Sequence, residues 1–205
     1  SCDDMFSNFN NRNRDFVMST NSLVAIVNTD ESVTASYVHY DGYETGVGLE
    51  LLENYNDTRS AARVARVGYA SSLKSTVAES RKDAANSDEA MTFENYSEFE
   101  KYIFANSYLE FVYLWNRNEK EWRVGSYSRT KISGEEYEYR YDWTGVEKLS
   151  SAFVRDGYAT VDRIRSNEGL RTSKEYLEWA GELLEIVRKW NRVVSLDIGN
   201  ELATA

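Results

Sequence analysis

The sequence predicts an α+β protein: a small antiparallel sheet built from hairpins, helices packed against it, and a long C-terminal amphipathic helix. Two segments, 23–40 and 109–127, each contain two apolar strands joined by a polar turn. Between and after them, apolar residues recur at helical spacing, most regularly in residues 173–195. Strands and helices that occupy separate stretches of one chain are typical of the α+β class.

Length and composition predict one globular body with appendages. The chain has 205 residues, of which 41% are hydrophobic and 14% aromatic, enough to build a core. We predict a polar N-terminal arm at residues 1–20 and an α+β domain at 21–130. Residues 131–205 are predicted to form a strand plus helical extension on the same body, because no Pro- or Gly-rich linker precedes them.

Each predicted hairpin joins two largely apolar strands through a polar turn. In the first, the turn NTDES joins residues 23–27 to 33–40, and Val33, Ala35 and Tyr37 share one face. In the second, NRNEK joins LEFVYLW to EWRVGSY, and the first of these strands is apolar on both faces. A strand of this kind is predicted to be covered on both sides of the sheet.

Shorter helices are predicted between the hairpins and after them. Residues 48–55 suit a short helix, and Asp57 is a good N-cap for a second one that ends at Gly68. Ser97 is predicted to cap a third helix, and residues 145–168 carry one or two more.

The C-terminal helix carries a wide apolar stripe that repeats at alternating spacings of four and three residues from Tyr176 to Val194. Such a stripe is buried either within the domain or against another chain, including a second copy. The contact residues predicted for an oligomer or a partner helix are Tyr176, Leu183, Val187, Trp190 and Val194.

The segment VHYDGYETGVG, residues 38–48, contains the chain's single histidine and gives three candidate binding residues, His39, Asp41 and Tyr43. A histidine oriented by a carboxylate could act as a general base, but the local sequence supplies no third group. The alternative, which we favour, is a hydrogen-bonded pair that fixes the turn. The glycines lack the spacing and the lysine of a phosphate loop, so we predict that they serve positive φ angles or close packing.

Residues 136–143 form a second candidate surface, because they alternate strictly between aromatic and charged side chains. The aromatic residues on one side are Tyr137, Tyr139, Tyr141 and Trp143. If exposed, this ladder could bind a partner, but we favour a ladder that faces the core.

Charge and residue types limit the cofactors and partners. The net charge of −10 argues against direct nucleic-acid binding, and acidic residues mixed with basic ones disfavour a mimic of DNA. One histidine and one cysteine exclude typical zinc sites and a disulfide within the chain, so we predict no cofactor and no metal, although a weak Ca²⁺ or Mg²⁺ site on carboxylates stays open. We predict no membrane association and a cytoplasmic location, because the sequence has no long apolar run and no signal-like start.

Residues of about 22–127 resemble a family of small uncharacterised phage proteins that carry a segment like His-Trp-Asp-Gly-Tyr-Pro-Glu. Here that segment reads His39-Tyr40-Asp41-Gly42-Tyr43-Glu44, with Tyr40 and Glu44 in the places of Trp and Pro. A strand like FVYLW, here 111–115, and a return strand with Trp122 also match. The resemblance implies a phage origin and a domain shape, but it implies no activity.

These observations lead to three functional hypotheses. We favour a phage-encoded, non-enzymatic accessory protein that binds another protein, for example to inhibit a host defence or transcription factor, in the cytoplasm of the infected cell. The second is a virion-associated structural protein whose terminal extensions contact neighbouring subunits. The third is a small hydrolase or nuclease centred on His39 and Asp41.

Overall fold

The computed structural model describes residues 20–82, 89–106, 108–131 and 139–204. The predicted N-terminal arm therefore lies, apart from Thr20, outside the described residues. The chain divides into two compact units, one that ends at Val146 and one that begins at Glu147.

The first unit contains a mixed sheet with four helices and a π-helical turn at Glu44–Gly48, and the second unit is helical. The strands are β1 (Ser22–Val27), β2 (Val33–Val38), β3 (Tyr69–Ala70), β4 (Met91–Phe93), β5 (Phe111–Asn116), β6 (Glu121–Lys131) and β7 (Tyr139–Lys148). The helices are α1 (Leu49–Asn54), α2 (Thr58–Val64), α3 (Val77–Lys82), α4 (Tyr96–Ala105), α5 (Leu149–Ser166), α6 (Glu168–Arg171) and α7 (Lys174–Thr204).

The α+β class and the long C-terminal helix are confirmed, but the prediction of an antiparallel sheet is wrong. The strand order is β3-β2-β1-β5-β6-β7, and β4 also pairs with β2. Both hairpins are antiparallel as predicted, whereas β1 runs parallel to β5, with Ser22 opposite Phe111. The two hairpins meet through β1 and β5, and the long helical connection between them allows the parallel direction.

Both faces of the sheet are covered, as predicted for the strand at β5. On the first face, Leu23, Ala35 and Val112 pack in one core cluster with Phe99 and Ile103 of α4. We call this the α4 face. Leu109, which precedes β5, also joins this cluster.

The opposite face packs against the turn at 42–48 and against α1 and α2. Trp122 Nε1 donates to the Tyr55 carbonyl over 3.0 Å, and the Tyr113 hydroxyl donates to the Gly42 carbonyl over 2.7 Å. Ser36 Oγ donates to the last carbonyl of α2, at Val64, over 3.0 Å. These three bonds tie the covering segments to the sheet.

Two helix ends differ from the prediction. Asn95, not Ser97, caps α4, because its side chain accepts from the backbone N–H of Glu98. Helix α2 ends at Val64, earlier than predicted, and Gly68 stands beyond it with a φ of 88°, which favours glycine.

Asp57 caps α2 through a capping box, as its place before the apolar run predicts. Its carboxylate accepts from the backbone N–H groups of Arg59 and Ser60, at 2.8 and 3.0 Å. The hydrogen bond from the Ser60 hydroxyl, followed by the one from its N–H, holds the pKa of Asp57 below its ordinary 3.8. The cap is therefore strongest in its ionised form.

We expect Asp57→Ala to lower the free energy of unfolding by about 1 kcal/mol, because two N–H groups lose their acceptor. The folded-state pKa is depressed, so the stabilising contribution of ionised Asp57 is present above the unfolded pKa and is lost as the pH falls below about 4. Urea unfolding at pH 7 and pH 3 measures both effects. The matched variant Asp57→Asn keeps the cap without the titration, and equal losses from both variants at pH 7 would contradict the cap.

The second unit consists of α5, α6 and α7, and α5 packs against α7. Gly157 of α5 lies directly against the side chain of Val187 on α7, and a Cβ atom at this position would overlap that side chain. The glycine therefore allows the two helices to approach closely.

Candidate binding site

The turn that contains His39 and Asp41 gives each residue a different partner. His39 Nδ1 lies 3.2 Å from the Tyr37 hydroxyl, and the imidazole tautomer decides which of them donates. The hydroxyl of Tyr43 donates to Asp41 Oδ1 over 3.1 Å. Within the described residues, no hydrogen bond joins His39 to Asp41. The direct His39–Asp41 hydrogen bond that we predicted, either to fix the turn or to orient a general base, is therefore not formed.

The glycines of this turn serve close packing, and the positive φ falls on Asp41, at 60°. A Cβ atom on Gly42 would stand 2.6 Å from the Thr20 carbonyl oxygen, and one on Gly46 would overlap the Asp41 carbonyl. That carbonyl accepts from the backbone N–H of Val47 over 2.8 Å. The segment is thus a tightly bonded turn, and its glycines are explained without a phosphate.

Beside His39, on the α4 face, lies a cavity of about 320 Å³ that we call the tyrosine pocket. It is formed by the edge strands of the sheet, by α4 and by the loop that follows α4. Its lining residues are Ala35, Tyr37, Gly68, Tyr69, Glu89, Met91, Tyr102 and Tyr108. Four of these eight residues are tyrosines, which makes the pocket rich in ring faces and hydroxyl groups.

Strand pairing explains why these tyrosines meet. Tyr37 of β2 lies opposite Tyr69 of β3, so their rings stack with centroids 5.6 Å apart. The hydroxyls of Tyr102 and Tyr108 lie 3.3 Å apart at the other wall. Met91 of β4 is opposite Ala35 and completes the floor of the pocket.

No family model matches this sequence, and no curated protein or solved structure does so either. The family resemblance and the functional hypotheses therefore remain predictions.

The electrostatics of the pocket keep its phenols neutral. Burial, with smaller contributions from Tyr69 and other neighbouring tyrosines, raises the pKa of Tyr37 to about 12. Burial and then the hydrogen bond with Tyr108 raise the pKa of Tyr102 to about 12. At neutral pH both hydroxyls are protonated, so they offer lone pairs and one proton each, but no negative charge.

His39 and Tyr40 extend the aromatic surface beyond the pocket. The His39 ring meets the Tyr40 ring edge-on, with centroids 4.3 Å apart, and lies 6.4 Å from that of Tyr69. Of the three residues predicted in this segment, His39 borders the pocket, whereas Asp41 and Tyr43 bond to each other inside the turn.

The aromatic ladder is described in part. Trp143 packs against the core cluster, and its ring centroid lies 5.0 Å from that of Tyr127. Its indole covers Gly125, where a Cβ atom would overlap the ring. Tyr139 and Tyr141 lie in β7, but their side chains and the whole of Tyr137 are outside the described part of the chain. Trp143 is therefore placed facing the core, the arrangement that we favoured for the ladder.

The C-terminal stripe lies largely inside the second unit. Leu183 and Val187 are fully buried on α7, which packs on α5, and Trp190 is also buried. Tyr176 and Val194 are half-buried. The central residues predicted for a partner helix are thus covered within the chain.

Across 20–82, 89–106, 108–131 and 139–204, no three His, Cys, Asp or Glu side chains converge as metal ligands would. None of the helices described there is long and apolar enough to cross a bilayer.

Sequence reasoning missed Tyr69, Tyr102 and Tyr108. They come from three separate segments, and none belongs to a local motif. One usable signal was present. Tyr37 and Tyr102 lie on the apolar sides of a predicted strand and a predicted helix, and both elements are found in the structure as β2 and α4.

Proposed function

We propose that this protein is a non-enzymatic binding protein that takes up a segment of a partner protein in the tyrosine pocket. The observation that carries this proposal is the clustering of Tyr37, Tyr69, Tyr102 and Tyr108 around one open cavity. Tyrosine supplies large contact area with few rotatable bonds and is enriched where proteins bind each other.

The bonding of the turn supports a binding role over a hydrolytic one. A general base needs a group that orients it and a group that it activates. Here the Tyr37 hydroxyl contacts His39, and the Tyr43 hydroxyl donates to Asp41, so each candidate for catalysis is bonded to a different tyrosine. In this proposal His39 positions the Tyr37 ring at the pocket wall.

The wider setting of the proposal rests on the resemblance of residues 22–127 to a family of small phage proteins. A phage-encoded accessory protein that binds a host factor in the cytoplasm of the infected cell would need a surface of this kind. The acidic net charge of −10 favours a basic partner.

The proposal is tested by a matched pair of tyrosine variants. Tyr108 lines the pocket and is 51% exposed, whereas Tyr96 lies at the start of α4, outside the pocket lining, and is 40% exposed. A partner captured from bacterial lysate with the wild-type chain is expected to bind Tyr108→Ser at least about tenfold more weakly, because an aromatic contact at the centre of an interface is lost.

The control Tyr96→Ser should bind the same partner with wild-type affinity, measured by titration calorimetry. Circular dichroism should show both variants folded, since both side chains are half-exposed. Equal affinities of Tyr108→Ser and wild type would overturn the pocket as the binding site.

A further inference from the structure

We infer that the group held by the tyrosine pocket is an alkylammonium cation, such as the side chain of a lysine or of an N-methylated lysine. This inference rests on the proposed function, because it names the chemistry of the partner segment that the pocket accepts. It is carried by the tyrosine rings and by the carboxylate of Glu89 in the pocket wall.

The rings give the first argument. A cation within about 6 Å of an aromatic ring centroid is attracted by the negative face of the ring. The rings of Tyr37 and Tyr69 stack on each other, the hydroxyls of Tyr102 and Tyr108 lie 3.3 Å apart, and all four residues line the pocket. A cavity of about 320 Å³ accommodates a trimethylammonium group together with the chain that bears it.

The charge of the wall gives the second argument. Among the lining residues that the structure describes, Glu89 is the one carboxylate, and none is a lysine or an arginine. Glu89 is exposed at the pocket wall, where its carboxylate can meet a bound cation. An anionic ligand would meet repulsion, and a neutral apolar ligand would leave this carboxylate unused.

The protonation of the phenols gives the third argument. A tyrosine is already neutral at physiological pH, and burial raises the pKa values of Tyr37 and Tyr102 further, to about 12, so neither phenol supplies a negative charge. Their attraction for a cation therefore comes from the ring faces and oxygen lone pairs, which favours an alkylammonium over a small metal ion, and most of all the weakly hydrated N-methylated form.

The decisive experiment compares a cation with its uncharged carbon analogue. Choline and 3,3-dimethylbutan-1-ol have the same shape, but only choline is charged. Titration of the full chain, followed by NMR shifts of the tyrosine rings, is expected to show choline binding at least about tenfold more tightly. Equal affinities would overturn the inference, since burial of methyl groups would then explain all binding.

Peptides separate a protein source from a free small molecule. Two otherwise identical peptides carry trimethyllysine or its neutral tert-butyl analogue at the centre. The cationic peptide should bind more tightly than both its analogue and free choline if a protein segment is the natural ligand. Choline binding more tightly than either peptide would overturn the assignment to a partner side chain.

Variants tie the binding to the pocket. Glu89→Gln should weaken choline binding about threefold, as for an exposed ion pair, and leave the neutral analogue unchanged. Tyr108→Ser should weaken choline binding about tenfold. Tyr96→Ser should have no effect, and a loss equal to that of Tyr108→Ser would overturn the site.

This inference and the proposed function fail in different ways. If Tyr108→Ser weakens the captured partner while no cation binds, the inference falls and the proposed function stands. If cations bind the pocket but Tyr108→Ser does not change the affinity for the captured partner, the proposed function falls. The assignment of the cation to a partner's side chain then falls with it.

Discussion

Replacement of Trp122 by alanine is expected to lower the free energy of unfolding of the first unit by about 3–5 kcal/mol. Trp122 is 1% exposed on β6, opposite Trp115 of β5, and the two rings meet edge-on with centroids 5.3 Å apart. The substitution leaves a large cavity beneath α1, and it leaves the Tyr55 carbonyl without the indole N–H that lies 3.0 Å away.

A second substitution separates the hydrogen bond from the packing. Trp115 is as deeply buried as Trp122, but within the described residues its indole N–H has no acceptor. Trp122→Phe is therefore expected to cost about 1–3 kcal/mol more than Trp115→Phe, which removes an unpaired donor. Urea unfolding followed by near-ultraviolet circular dichroism compares all three variants. Equal costs of the two phenylalanine variants would contradict the role of the Trp122 hydrogen bond.

Gly157→Leu is expected to destabilise the second unit by about 3 kcal/mol, the upper end of the usual cost of overpacking. The side chain would enter the space of Val187, which is fully buried on α7. Valine is branched at Cβ and has one preferred rotamer in a helix, so it cannot move aside without cost. The gain in helix propensity from replacing glycine, about 1 kcal/mol, offsets only part of this.

The chain supplies a matched control in Gly181 of α7. A Cβ atom there would meet nothing within 4 Å. Gly181→Leu should therefore be neutral or stabilising by up to about 1 kcal/mol, through helix propensity alone. Hydrogen exchange of the α5 and α7 amides reports on this unit separately from the sheet. A similar response at both glycines would show that α5 and α7 do not approach as closely as described.

The parts of the fold that sequence predicts best depend on local patterns. A few adjacent residues predict the turn between β1 and β2 and the Asp57 cap. The regular spacing of apolar residues within one segment predicts the helix α7. The parallel pairing of Ser22 with Phe111 depends on how distant segments meet. No local pattern encodes that choice, which explains the error about the antiparallel sheet.

The same distinction applies to the candidate site. His39 is conspicuous because it is the only histidine, and the structure does place it at the border of the pocket through Tyr37. The rest of the pocket depends on β3 and α4 being brought to the same edge of the sheet. Tyr69 and Tyr108 carry no local signal, so their role becomes visible only when the strand order is known.

The central claim is that a partner binds at the tyrosine pocket, and site-directed photo-crosslinking tests it most directly. A benzophenone side chain is placed at Tyr108 in the pocket lining, at Tyr96 outside it, or at Leu196, which is 68% exposed on α7. We predict a cross-linked partner from position 108 and none from positions 96 and 196. Cross-linking from position 196 and not from 108 would contradict the account, because it would place the partner on the C-terminal helix.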